Sequence, residues 1–260
     1  MNAMDEPTKK RRSGRQSCAD QGEVACIDCN LFGFLQLFAS LTPEMLTHFL
    51  TTHMPLAKGE VVYRAGQPFE GIYAVKSGGL KSIVMQEPYG EQVASFHLPG
   101  ELMGVEDLQS ATYSFTIIAL EESKVCFMPL KQGGLQREPL PSSREQMVKI
   151  LLEHLRQCQR QGLILGMRTA EERLGAFFLN LAERYARHGF PMHEFRVPMM
   201  QNDIANHLGL AMETVSRTLK HFRELEMLTI RGKRGRILNP GCMQSITQYC
   251  FLKKGTDEQE

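Results

Sequence analysis

Asp203-Ile204-Ala205-Asn206-His207-Leu208-Gly209-Leu210-Ala211-Met212-Glu213-Thr214-Val215-Ser216-Arg217 is the stretch that decides the fold of this 260-residue chain. Asp203 to Leu208 has the pattern of a short helix. Gly209-Leu210 supplies a tight turn, because glycine tolerates the left-handed backbone that ends a helix. A second helix is predicted from about Met212 to Glu224, with Val215, Leu219 and Phe222 on its buried face. Helix, Gly-containing turn, helix is a helix-turn-helix. Downstream, Leu228-Thr229-Ile230 and Arg236-Ile237-Leu238 are predicted strands joined by Arg231-Gly232-Lys233-Arg234-Gly235. They would form a basic hairpin, a wing beside the second helix.

The second helix carries the chemistry of base reading. A recognition helix enters the major groove with its N-terminal residues toward base edges. Here those are Met212, Glu213, Ser216 and Arg217. The last three are spaced by three or four, so they share one face. A carboxylate can accept from cytosine N4, and a guanidinium can grip guanine O6 and N7. Lys220, Arg223 and the wing would meet phosphates, which position a protein without reading sequence. The plainer alternative is an ordinary Glu213–Arg217 surface ion pair at i and i+4.

Upstream, Thr169-Ala170-Glu171-Glu172 reads as a capping box opening another helix, which buries Leu174, Phe177, Phe178 and Leu181 and ends by Gly189. Before it, Val148, Leu151, Leu155, Cys158, Gly162 and Leu165 recur at spacings of 3, 4, 3, 4 and 3. That is a coiled-coil seam about 2.5 heptads long. A second stripe, Met147, Ile150 and Ile164, lies beside it. One stripe can pack on the rest of the chain while the other meets a partner helix; the alternative is one helix packed wholly within its own chain. A hinge is predicted at Arg168-Thr169.

From Gly59 to about Leu130 the pattern is short strands between turns. The candidates are Val61–Tyr63, Ile72–Val75, Leu80–Val84, Val93–Phe96, Phe115–Leu120 and Lys124–Met128. Breaks such as Ser77-Gly78-Gly79 and Leu98-Pro99-Gly100 separate them. An antiparallel barrel or jelly roll follows. The fold class is therefore α+β: a β-barrel over 34–140, a dimerisation helix over 141–168 and a winged helix-turn-helix over 169–250. A cysteine-bearing arm over 1–33 precedes them, and a tail covers 251–260. Thr42-Pro43-Glu44 opens a short helix within the second part.

Composition sets bounds. The apolar fraction is 42 % and the charged fraction 23 %, ordinary for a soluble globular chain. No stretch approaches the roughly 18 apolar residues of a membrane helix. No apolar segment follows the polar, basic N-terminus, so a secretory signal is not expected and the cytoplasm is. The net charge of +1 is unevenly spread. Arg217 to Arg236 holds seven Lys/Arg against Glu224 and Glu226, while Lys9 to Arg15 holds five basic groups that read as a solvated tail. His53, His97 and His154 are isolated, and no nucleophile–base set stands out, so an enzyme is not expected. Seven cysteines in a cytosolic setting are thiols, metal ligands or redox sensors.

Glu213-Thr214-Val215-Ser216-Arg217 after Leu208-Gly209-Leu210 resembles the recognition element of the Crp/Fnr family of bacterial transcription regulators. The order of parts fits, over about residues 26–245. The similarity is closest to the oxygen-responsive FNR branch. Glu213, Ser216 and Arg217 match the trio by which that branch reads TTGAT-type half-sites. Met212 stands where relatives carry valine or a small residue. The resemblance implies a homodimer on an inverted repeat in double-stranded DNA, contact with RNA polymerase, and a barrel of the cyclic-nucleotide-binding type that senses a signal.

Two effectors are implied by the family. Its cAMP-binding members clamp the phosphate with an Arg-Ser-Ala stretch. Here Gly100-Glu101 is followed by Ser110-Ala111-Thr112, with no arginine between Gly100 and Cys126. No cyclic nucleotide is expected. The other effector is an oxygen-labile [4Fe-4S] cluster on four cysteines. Cys26-Ile27-Asp28-Cys29 resembles the family's Cys-x-x-Cys pair, and Cys126 the barrel ligand. Leu35 stands where the family's next cysteine falls, so Cys18 would supply the fourth thiolate. The alternatives are thiol oxidation or zinc binding without a cluster, another small effector, or no metal at all, with three solvent-facing or packed thiols and a buried strand cysteine. A dithiol oxidoreductase built on Cys26 and Cys29 would need a βαβ setting, which is not found. Cys158 reads as a packer in the seam.

Overall fold

The computed structural model describes residues 53–130 and 141–247, with the side chains of the helix that opens at Pro141 described from Val148 onward. Eight strands build the N-terminal part: β1 (Met54–Leu56), β2 (Val61–Tyr63), β3 (Gly71–Ser77), β4 (Leu80–Gln86), β5 (Gly90–His97), β6 (Leu102–Met103), β7 (Thr116–Ala119) and β8 (Ser123–Pro129). They form two four-stranded antiparallel sheets with orders β1-β8-β3-β6 and β2-β7-β4-β5. Ile72, Ala74 and Val75 of β3 and Val125 of β8 are fully buried between the sheets. Tyr113 stacks on Tyr63 at 3.8 Å between ring centroids and donates its hydroxyl to the Gly71 carbonyl at 2.8 Å. Gly71 has to be glycine: a Cβ there would lie 2.1 Å from the Met128 carbonyl oxygen. All six expected strands are present. β1 and β6 were not expected, since three and two residues are too short to show alternation.

Helix α1 (Pro141–Leu165) and helix α2 (Ala170–Arg187) follow. The expected break between them is built by the capping box. Thr169 Oγ1 accepts from the Glu172 N–H at 3.1 Å, and the Glu172 carboxylate accepts from the N–H groups of Thr169 and Arg168 at 3.2 and 2.9 Å. Along α1 the two stripes separate. Ile164 is fully buried and Ile150 packs on the barrel core. Val148, Leu151, Leu155 and Leu165 are 41–52 % exposed, and Cys158 and Gly162 are exposed with them.

The C-terminal part comprises β9 (Glu194–Arg196), α3 (Gln201–Leu208), α4 (Met212–Glu224), β10 (Leu228–Arg231), β11 (Arg234–Ile237) and α5 (Pro240–Thr247). The wing is tighter than its sequence suggested. Arg231 pairs with Arg234, so only Gly232 and Lys233 form the turn, and the second strand starts at Arg234 rather than Arg236. Gly232 at φ 58° makes that two-residue turn possible. A third strand, β9, pairs with β11 and was not expected; its Glu-Phe-Arg has one apolar residue.

One core runs across these parts. Ile83, Val93, Phe96, Leu98 and Leu120 of the barrel share a buried cluster with Phe177, Phe178, Ile204, Leu208 and Phe222. Each such side chain contributes roughly 1.5–3 kcal/mol on burial. Packing is therefore continuous across the segments that periodicity separates.

Candidate nucleic-acid interface

The helix-turn-helix geometry follows from its turn. Gly209 takes the left-handed conformation at φ 62°, and the Leu210 N–H closes on the Ala205 carbonyl at 2.9 Å. That stops α3 and redirects the chain into α4 two residues later. Val215, Thr218, Leu219 and Phe222 turn inward. Glu213, Ser216, Arg217, Lys220 and Arg223 are all exposed on the opposite side, and Met212 is 47 % exposed at its start. Glu213 lies in the first turn, where the helix dipole favours a carboxylate. Among the described residues no ion pair joins Glu213 to Arg217. Lys220 approaches Glu224 at 3.7 Å, an exposed i,i+4 pair worth about 0.3–0.5 kcal/mol. The α4 face is thus open, with donors and an acceptor at successive turns.

The wing adds positive charge beside it. Arg231, Arg234 and Arg236 are exposed. Arg236 faces Glu194 at 3.7 Å across the sheet. Lys233, at the turn, donates instead to Glu121 of the barrel at 2.6 Å, and Arg196 reaches the same carboxylate at 3.3 Å.

Side chains of the helix-turn-helix also bind the barrel directly. Asn206 of α3 accepts from the Val93 N–H at 2.6 Å and donates to the Glu91 carbonyl at 2.8 Å. Its own carbonyl accepts from the Gln92 amide at 3.0 Å. Asp203 accepts from Lys81 at 2.9 Å. His207 Nδ1 lies 3.1 Å from the Val93 carbonyl, and burial pushes its pKa down to about 4. On α2, Arg184 grips both oxygens of Glu101 at 2.7 and 2.6 Å and donates to the Phe96 carbonyl. Burial alone would raise the Glu101 pKa. The Arg184 charge and hydrogen bonds, with the Leu98 N–H, outweigh it and hold the carboxyl below its usual range. None of this was legible beforehand. Each contact joins single groups 75 to 122 positions apart along the chain, and no period marks them.

A cavity of about 440 Å³ lies between the barrel and α1. Glu101, Glu106, Glu153, His154 and Arg184 are among its lining residues. Its arginine is already held by Glu101, so the lining offers an anion no unpaired guanidinium. Burial raises the Glu106 pKa. Cys158 lies at its margin, its thiol pKa raised by partial desolvation on that side and by Glu106.

The cysteines divide between the described and the remaining residues. Cys126 is 5 % exposed on β8, its Sγ 3.3 Å from His53 Nδ1. Cys18, Cys26, Cys29 and Cys250 lie outside the described residues, as does the helix expected at Thr42-Pro43-Glu44. Among the described residues no three His, Cys, Asp or Glu side chains are placed to share a metal ion. Cys126 nonetheless has the chemistry of an iron–sulfur ligand, a soft donor with a hydrogen-bonding neighbour. Cys242 is half-buried against the core. No helix among the described residues is long and apolar enough to cross a membrane.

Known proteins carry the same parts. Residues 172–246 match the Crp-like helix-turn-helix domain, and residues 53–132 the cyclic nucleotide-binding domain. The chain is 34 % identical over 257 residues to the transcriptional activator protein Anr of Pseudomonas protegens, covering 98 % of this chain and all of that one. It is 34 % identical over 241 residues to the fumarate and nitrate reduction regulatory protein of Salmonella typhimurium, covering 92 % and 95 %. The structure of FixK2 from Bradyrhizobium japonicum superposes with a TM-score of 0.64 at 26 % identity, covering 75 % of this chain and 96 % of that one. A β-barrel, a long helix and a helix-turn-helix, shared with relatives named as transcription regulators, define a DNA-binding transcription regulator, not an enzyme. The chain belongs to the Crp/Fnr family.

Proposed function

We propose that this regulator binds inverted repeats of TTGAT-like half-sites as a homodimer and responds to oxygen or redox state in the cytoplasm. The observation that carries the reading is the open face of α4. Glu213, Ser216 and Arg217 point to solvent together, free of mutual pairing, beside a basic hairpin. Arg217 grips the guanine, Glu213 accepts from a cytosine amino group, and Met212 faces the outer base of the half-site. Lys220, Arg223 and the wing hold phosphates. The seam of Val148, Leu151, Leu155, Cys158, Gly162 and Leu165 meets its copy in the partner, which the exposure of that stripe supports. RNA polymerase is the further partner.

The signal enters at thiolates. Cys26, Cys29 and Cys126 would hold a [4Fe-4S] cluster, with Cys18 as the fourth ligand; a bound cluster would supply oxygen lability. Thiol oxidation of the same cysteines is the second reading, favoured by Leu35 standing at the family's remaining ligand position. No cyclic nucleotide is used, in keeping with a cavity whose arginine is already held by Glu101.

The test of the DNA reading is Arg217→Ala against a panel of half-site variants. Binding to the intact repeat should fall by about 1–3 kcal/mol, and preference at the guanine should relax. Equal weakening on every sequence would make Arg217 a phosphate contact and refute the assignment.

A further inference from the structure

Glu121 sits in the turn between β7 and β8, its side chain only 7 % exposed. Two cations of the winged domain converge on it. Lys233 Nζ donates to Oε2 at 2.6 Å, and Arg196 Nη2 lies 3.3 Å from Oε2 and 3.5 Å from Oε1. The cations retain access to water, with side chains 49 % and 36 % exposed. One is the turn residue of the hairpin, the other ends the strand beside it. An anionic oxygen pair facing a lysine and an arginine at the tip of a wing is the arrangement a DNA phosphate would offer the same side chains.

The surroundings make this contact a built one. Gly79, also in a barrel turn, lies so close to the winged domain that a Cβ there would stand 2.5 Å from Pro198 Cγ. Lys81–Asp203 and the three Asn206 hydrogen bonds fix α3 on the same side of the barrel. Glu121 therefore meets the wing in one definite docked arrangement.

We propose that Glu121 is an intramolecular substitute for a DNA phosphate, occupying Lys233 and Arg196 in the docked state and competing with DNA for them. This rests on the reading that the wing contacts phosphates. Binding DNA with the wing then requires Lys233 and Arg196 to leave Glu121, so the barrel's grip on the wing lowers affinity for any duplex. Arrangements of the barrel that withdraw Glu121 release the wing.

The test uses the full chain, a duplex carrying a TTGAT-like inverted repeat and a scrambled duplex of equal length, with affinity read by fluorescence anisotropy. Glu121→Gln keeps the side-chain shape and removes the charge. It should tighten binding to both duplexes by about 1.5- to fivefold, the range for a partly exposed ion pair. Glu121→Asp, whose carboxylate falls short of Lys233, is the second variant and should act in the same direction. Lys233→Gln should weaken binding more in the Glu121→Gln background than in the wild-type chain, where it also removes the competing contact. Unchanged or weaker binding in both Glu121 variants, with Lys233→Gln weakening the wild type, overturns the competition and leaves the phosphate role of the wing intact. No effect of Lys233→Gln in either background removes the phosphate role itself, and the proposal with it.

Discussion

Arg184→Ala is the sharpest test of how the DNA-binding part is held to the barrel. The guanidinium lies against two partners, both oxygens of Glu101 and the Phe96 carbonyl, with both charged side chains at most 10 % exposed. Truncation removes three charge-assisted hydrogen bonds and leaves a carboxylate buried without its counter-charge. Breaking a buried pair from one side costs about 3–5 kcal/mol. The full stability of a domain is only about 5–15 kcal/mol. With about 2–4 °C lost per kcal/mol in a chain of this size, the midpoint should drop by roughly 6–20 °C. Urea and thermal unfolding at pH 7.5, followed by circular dichroism, measure it. The paired replacement Glu101→Gln/Arg184→Met leaves no charge behind and should cost about half as much or less. A loss below about 1 kcal/mol for Arg184→Ala would show that Glu101 finds water or a proton at small cost, and the clamp would be refuted.

Two further outcomes are expected. His97 and His207 are buried with pKa values near 4, against about 6.5 when unfolded. The unfolded chain therefore takes up protons first, and stability should fall as pH drops from about 6.5 toward 4, with no contribution from these groups above that window. The Glu101 carboxyl, held below its usual range, adds a loss of the same sign further down. Urea midpoints at pH 7.5, 6 and 5 check this, and a flat profile would refute it. The seam carries no charge, so metal-free protein at micromolar concentration should sediment as a dimer, and Cys158→Asp should make dimerisation depend on the effector. A wild-type apoprotein that sediments as a monomer would show the seam alone to be too short.

Much of the fold could be read because its signals are local. Gly209 announces the turn, Thr169 and Glu172 announce a helix start, and Ile150 and Ile164 part from the seam by their phase on α1. The candidate reading face was legible for the same reason, since Glu213, Ser216 and Arg217 share one short helix. The docking of the two halves was not. Asn206 reads as an ordinary polar helix residue until Val93 and Glu91 are beside it, and Glu121 as a turn acid until Lys233 arrives. Cys126 and His53 are 73 positions apart, and only the pairing of β1 with β8 brings them together. The wing is tighter than expected because Arg231-Gly232-Lys233-Arg234-Gly235 has the composition of a loop, yet Gly235 pairs with Ile230 and packs beneath the Phe195 ring.

The contacts of Asn206 have a consequence beyond holding two parts together. β5 ends its sheet, so one side of its backbone has no neighbouring strand. Such an edge is a template on which another chain can add itself, and proteins cover or charge theirs. Here the cover is α3, whose Asn206 takes the Val93 N–H and the Glu91 carbonyl in place of a strand. Whenever the DNA-binding part lifts away, that edge is laid bare. Conditions that favour undocking should shorten the life of the protein in solution, with aggregates growing through β5 and duplex DNA giving no protection to that edge.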